Sequence, residues 1–297
     1  MITGSMPTVS VVMPVHNARR YVGRAVQSIL GQTFRDFELL IIDDGSTDDS
    51  PAILRRYVAQ DSRIRLIGRA HRGIAPTRQE LLALSTGRFH AMMDADDESE
   101  PQRLEKQVDY LMEHPDCVCV SCRMLLTDPD GSPLRTINLE TSHEEIDAAN
   151  LSGHSFFVNG AYMIRRDALL EIGGIRDLPL AYDLDLFLRL AEHGRIACLP
   201  VVLYRYRQHL SNNTLRWQEL NKAVAEVIQE ALVRRGLPAD MATSRVLPGS
   251  ALSSLSQRRK WAWWALQAGN VWTARKHAFQ ALWRSPFSIA SWRLAAC

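Results

Sequence analysis

The chain reads as an α/β protein with a mainly parallel sheet flanked by helices and a C-terminal helical appendage. Three observations predict this. Short β-branched runs end abruptly at Pro, Gly or Asp, amphipathic helical stretches lie between them, and beyond about residue 213 the pattern is helical to the end. Strands alternating with helices of this length imply βαβ crossovers, hence parallel pairing.

The first strand is Val9 to Met13, ended by Pro14. Ala18 to Leu30 follows as a helix with Tyr21, Val22, Ala25, Val26 and Ile29 on one face. Leu39 to Ile42 is a second strand, closed by Asp43-Asp44-Gly45, and Ser50 to Tyr57 is a helix carrying Ile53, Leu54 and Tyr57 together. Ile64 to Ile67 makes a third strand ending at Gly68. Phe89 to Met93 reads as a buried strand, and a helix starts near Pro101. Cys117 to Cys122 alternates at strand period before a turn at Thr127 to Gly131 with Pro129. Phe156 to Ile164 is strand-like around Asn159-Gly160, Ala181 to Glu192 is an amphipathic helix, and Ile196 to Tyr206 is a strand rich in Val, Leu and Tyr. From Leu215 the pattern is helical, broken at Gly236-Leu237-Pro238 and Gly269-Asn270. The expected division is a domain over residues 7–213 and an appendage over 214–297, with residues 1–6 set aside as a tag remnant.

A length of 297 residues with 46% hydrophobic content supports a sizeable core. No run of eighteen apolar residues occurs, so no spanning helix is expected. Five cysteines without an even framework favour a reducing, cytoplasmic setting. Cys117, Cys119 and Cys122 lack a second ligand pair and read as core thiols rather than a metal cluster. The net charge of +2 is unevenly spread: Ala251 to Cys297 holds seven basic residues and no acidic one, leaving −5 on the remainder. No nucleic-acid partner is expected.

Four acidic residues lie between Asp94 and Glu98, directly after the strand ending at Met93. Carboxylates crowded on one loop repel one another, an arrangement that suits a cation held between them. A hard divalent ion takes oxygen ligands from few protein groups and leaves its other positions to phosphates. The cluster therefore suggests a metal-diphosphate site, against the alternative of a solvated loop favouring the start of the next helix. Ligands of open parallel sheets bind outside the carboxyl ends of strands. Pro14-Val15-His16-Asn17, Asp43-Asp44-Gly45-Ser46 and Asp94-Ala95-Asp96 all belong on that rim. Ser46 or Thr47 can cap the following helix, and an aspartate beside them can accept hydrogen bonds from a base or ribose.

Val9 to Asn17, Ile42 to Asp48 and Met93 to Asp97, in this order and spacing, closely resemble the large family 2 of inverting nucleotide-sugar glycosyltransferases, with the GT-A fold. The resemblance runs from about Val9 to Asn213 and implies a nucleotide-binding half over 7–100 and an acceptor and catalytic half over 101–213. It implies that Pro14, Val15, His16 and Asp44 hold the uracil end of a UDP-sugar and that Arg78 contacts base or diphosphate, where the alternative for Arg78 is a helix-surface cation. Asp94 and Ala95 face the donor, and Asp96 is the direct ligand of Mn²⁺ or Mg²⁺. Asp97 and Glu98 are left as the solvated edge, and Ser99 stands where relatives carry tryptophan.

Leu180 to Leu190 is similar to the family's Glu-Asp helix start, which makes Asp183 the catalytic base. Tyr182 replaces the usual glutamate, which puts the hydrogen-bond support of Asp183 in question. Asn159-Gly160-Ala161 resembles the loop where a glycine lets backbone approach the donor sugar. Tyr204 to Asn212 resembles the family's carboxyl-terminal histidine motif, which assigns His209 to the metal or diphosphate and lets Arg205 and Arg207 screen phosphate charge. The implied reaction is a single inverting displacement, with Asp183 deprotonating an acceptor hydroxyl on a glycan or lipid-linked acceptor. A catalytically idle nucleotide-sugar or glycan-binding module on the same fold is the alternative that Tyr182 keeps open. A nucleotidyltransferase would need a triphosphate loop that the first strand lacks.

Six of seven tryptophans lie in the basic segment 251–297. One reading is a peripheral contact with a bilayer, at the inner face of the membrane. The other is helix-on-helix packing of one tetratricopeptide-like pair. Donor sugar, linkage and oligomeric state are not written in these motifs.

Overall fold

The computed structural model describes residues 6–153, 160–209, 217–238 and 254–286. The N-terminal half alternates as expected: β1 (Val9–Val15), α1 (Val22–Leu30), β2 (Phe37–Asp44), α2 (Ser50–Val58), β3 (Ile64–Arg69), α3 (Ile74–Leu84) and β4 (Phe89–Met92). Then come β5 (Glu98–Ser99), α4 (Arg103–Glu113), β6 (Cys117–Thr127), β7 (Pro133–Ile137), α5 (His143–Leu151), β8 (Met163–Arg165) and α6 (Arg166–Glu171). The chain continues with α7 (Tyr182–His193), β9 (Arg195–Arg207), α8 (Trp217–Arg234), α9 (Ser254–Gln267) and α10 (Val271–Arg284).

The strands form one sheet in the order β3-β2-β1-β4-β8-β6-β9-β5, with β7 added beside β6. The first four pair in parallel, so the carboxyl ends of β1, β2 and β4 share one rim. Beyond β4 the sheet is mixed: β8 runs antiparallel to both β4 and β6, while β6 and β9 are parallel. β1 is buried throughout and β2 at all but Glu38, and both sit in the core, because a strand covered on both faces reads as a largely apolar run. Cys117, Cys119, Cys122 and Cys198 are free and buried. Burial pushes Cys122 and Cys198 up to about 12, which leaves them inert as nucleophiles.

Several expectations shift. The first helix begins at Val22 rather than Ala18, and neither Ser46 nor Thr47 caps α2, which starts behind Asp49. Ser46 Oγ instead accepts the N–H of Asn17 at 2.9 Å. Of the expected strand Phe156–Ile164, residues 156–159 lie outside the described residues, Gly160 is in a turn, and β8 occupies 163–165.

The helical appendage is not one body. α8 packs Val227, Ile228, Ala231 and Leu232 on Ala181, Leu184 and Leu188, in a small core separate from the main one. Trp261, Ala265 and Ala274 of α9 and α10 join the main core. There Asn270 Nδ2 donates to the Leu134 carbonyl at 3.2 Å, and the turn between β6 and β7 receives Lys276. Among the described residues no helix is long and apolar enough to cross a membrane.

Candidate active site

The loop after β4 is less exposed than its charge suggests. Asp94 Oδ1 accepts from Arg78 at 2.7 Å, and its backbone N–H donates to the Tyr204 hydroxyl at 3.3 Å. Arg78 is 2% exposed, which rules out the helix-surface cation. Its other branch donates to the Tyr182 hydroxyl at 2.9 Å. One guanidinium thus joins the acidic loop to the first residue of α7, beside Asp183. Such a planar fork is suited to holding two acceptors at fixed angles.

Asp97 and Glu98 are not a solvated edge. Asp97 is buried and accepts the Arg207 N–H at 2.7 Å. Arg207, itself 1% exposed, pairs with Glu98 and donates through Nε to the Asp96 carbonyl at 2.8 Å and through Nη1 to the Pro129 carbonyl at 3.2 Å. It is therefore a latch under the loop rather than a phosphate screen. Arg205 is occupied by Glu100 at 2.6 Å. Burial, then the charges of Asp96 and Asp94, push the Asp97 carboxyl well above the usual range. Burial also raises Asp94, with Arg78 opposing and Asp96 and Asp183 adding. Carboxyl groups held up in this way favour a cation arriving between them.

Asp96 and His209 meet across the rim, with Oδ2 and Nε2 2.8 Å apart. Tyr21 stacks on the His209 ring at 5.5 Å and sits under Arg207 at 4.9 Å. No group of three or more metal-ligating side chains occurs among the described residues. A carboxylate and an imidazole nonetheless fit a hard divalent ion that draws its remaining ligands from a diphosphate and water.

Gly160 lies against this site. A Cβ there would overlap the Tyr204 hydroxyl and come within 3.0 Å of Asp94 Oδ2. Its carbonyl accepts from the buried Arg103 at 2.8 Å, which fixes the backbone from behind.

Asp183 is half-buried at the start of α7, where the N–H of Leu184 donates to its Oδ1 at 2.9 Å. Ala181, just before the helix, adopts φ +57°, a left-handed conformation uncommon for a residue with a Cβ. Burial raises the Asp183 carboxyl, against the Leu184 N–H and the Arg78 charge. Asp185 differs entirely: fully buried, it pairs with Arg176 and Arg189 and anchors α7.

The end of β2 behaves differently from its neighbours. Both oxygens of Asp44 accept backbone N–H groups, Arg72 at 3.0 Å and Gly73 at 2.9 Å, and Arg69 lies 3.0 Å away. Burial alone would raise this carboxyl, but the N–H donors and Arg69 hold it below its usual range. Asp44 therefore organises the loop leading into α3. His16 is exposed and faces it, with Nδ1 2.8 Å from the Asp44 carbonyl and its ring 4.4 Å from that of His71. Pro14, Val15 and Ala95 are buried.

Sequence reasoning missed Tyr21, His71 and Tyr204, whose places depend on chain crossings with no local signal. Arg207 was visible only as a cation.

Comparison with known proteins meets this geometry directly. Residues 10–173 match the model of glycosyl transferase family 2. The chain belongs to that family. EpsE of Bacillus subtilis is 34% identical over 69% of this family 2 chain and 74% of its own length. Chondroitin synthase of Escherichia coli is 28% identical over 87% of the chain, which spans only 36% of that protein. Among solved structures, Staphylococcus aureus TarS in complex with UDP-GlcNAc superposes with TM-score 0.61 at 18% identity, covering 91% of this chain and 83% of TarS. A Pyrobaculum calidifontis mannosyltransferase in complex with GDP-Man and Mn²⁺ gives 0.56 at 18%, covering 98% and 79%. Both share the fold, and the family 2 chain is a GT-A glycosyltransferase.

Proposed function

We propose that this glycosyltransferase moves a sugar from a UDP-sugar to a hydroxyl of a glycan or lipid-linked acceptor, with inversion, in cytoplasmic synthesis of a cell-surface polysaccharide. The observation that carries this reading is the Arg78 bridge, which sets Asp94 of the acidic loop beside the helix start that presents Asp183. Relatives named chondroitin synthase and hyaluronan synthase support the polysaccharide class. The chain spans 36% and 24% of those two proteins, so their full activities are not transferred to it.

In this reading residues 7–213 carry the reaction. His16 and the loop ordered by Asp44 receive the base, and Asp94, through the oxygen facing Gly160, orients the donor sugar. Asp96 and His209 would hold Mn²⁺ or Mg²⁺, which when bound neutralises charge on the departing diphosphate. Asp183 takes the proton from the acceptor hydroxyl, and its raised pKa makes it the stronger base. Arg78 holds Asp94 and Tyr182 in place.

The test is UDP release from a panel of UDP-sugars with Mn²⁺, for the native chain and Asp183→Asn. Loss of a positioned base costs about 10² to 10⁴ in rate. No release from either protein alongside tight donor binding would establish the idle binding module instead, and equal release by both would remove Asp183 as the base.

A further inference from the structure

α10 is built inside out. Its packed face carries Thr273, Ala274, His277, Ala278 and Ala281, while Trp272, Phe279 and Trp283 stand 83%, 60% and 89% exposed. With Arg275, these follow the i, i+3, i+7, i+11 spacing of a single stripe. Large aromatics are ordinarily the residues a helix buries, and a contiguous exposed set marks an interaction surface. Beside the stripe, Arg258, Phe279, Gln280, Trp283 and Arg284 line a cavity of about 370 Å³ between α9 and α10. Arg258 and Arg284 both line it, so two guanidinium-bearing side chains share that cavity. Residues 254–286 hold six basic side chains and no acidic one; Lys276 is paired with Asp128 and Asp130, which leaves five for the face.

We infer that this face of α9 and α10 docks on the anionic surface of a phospholipid bilayer, with Trp272, Phe279 and Trp283 at headgroup depth and Arg258 and Arg284 receiving lipid phosphate. Charge complementarity selects this occupant. A second copy would oppose positive charge to positive charge, whereas anionic headgroups neutralise it, and tryptophan settles at the membrane boundary. Lysine or arginine near such a surface strengthens binding by roughly five- to tenfold each at low salt. The attachment is peripheral and independent of which donor the rim accepts.

The purified chain is floated with phosphatidylcholine vesicles, with and without phosphatidylglycerol, at low and high salt. Expected is binding to the anionic vesicles alone, weakened by salt because exposed charges are screened. Arg258→Gln with Arg284→Gln lowers partition about thirtyfold, and Trp272→Ala with Phe279→Ala and Trp283→Ala lowers it at least as far. Circular dichroism and donor hydrolysis in solution stay at native values, since the altered side chains lie outside the core and the rim. The proposal is overturned by equal binding to neutral vesicles, by no binding, or by variants that bind as the native chain does. It is equally overturned if sedimentation reveals a dimer that the triple variant dissolves, which would make the face a protein contact.

Discussion

The molecule holds two aspartate–histidine pairs of almost equal length in opposite surroundings. On the rim, Asp96 and His209 lie 2.8 Å apart, their side chains 34% and 14% exposed. At the turn between β6 and β7, Asp128 and His277 lie 2.9 Å apart, with 0% and 1%. The neighbours make the difference. Asp128 is saturated by Lys276 at 2.6 Å and the N–H groups of Asp130 and Ser132, and these donors with His277 outweigh burial to hold its carboxyl far below the usual range. Asp96 is surrounded by carboxylates that burial has pushed upward. The same two residue types make a structural lock where cations and N–H groups surround them, and, under the proposed function, a place for an incoming cation where acids do.

The contrast breaks most sharply at the rim. Asp96→Asn should lower metal-dependent UDP release about a thousandfold, since a bound metal supplies several kcal/mol of charge stabilisation. Thermal melting of the apo protein should barely move. Asp128→Asn should do the reverse, costing about 1 to 3 kcal/mol because the buried His277 and the Ser132 N–H lose a charged acceptor, while Lys276 keeps Asp130 at 2.8 Å. Urea unfolding would register that loss, and protease should cut first within α9 and α10, while donor binding by the remaining fold persists.

Acid separates the two regions by order. Asp183 must be ionised to act and its pKa is raised, so activity falls as pH drops through a value above the ordinary carboxylate range. Asp128 is depressed in the folded chain, so its contribution is complete above the unfolded value of about 3.9 and fades only as pH falls below it. A pH series of UDP release and melting temperature should therefore show activity lost first. Coincident losses would remove the distinction. The smallest expected effect is at the bridge, where Tyr182→Phe removes the acceptor for Arg78 and should cost about 1 kcal/mol in the transition state, read as kcat/KM.

Much of this was legible in the sequence. β1, β2 and β4 announced themselves because a strand buried on both faces needs an unbroken apolar run, and the motifs at their ends follow from that placement. α3 was not read, because Pro76 stands near its start and its buried face includes Thr77 and Arg78, which look like surface residues. α5 carries a local signal, the capping box of Ser142 and Glu145, but has few apolar residues to mark a buried face. β5 is two residues long and exists through its pairing with Arg205 and Tyr204, a contact over a hundred residues away in sequence. The candidate site followed the same division. Asp94, Asp96, Asp183 and His209 could be named from local strings, whereas the burial of Arg78, Asp97 and Arg207 depends on which segments cross above them.

Gly160 and Tyr204 occupy what is in effect one space. Any side chain at 160 must displace the hydroxyl that meets the N–H of Asp94, so neither position can drift alone. A change at 160 becomes tolerable only after 204 has shrunk, and shrinking 204 first forfeits the contact to the acidic loop. Two residues 44 apart in the chain are thereby tied as an epistatic pair, and the order in which they could be exchanged over generations is set by the bulk of a single methyl group.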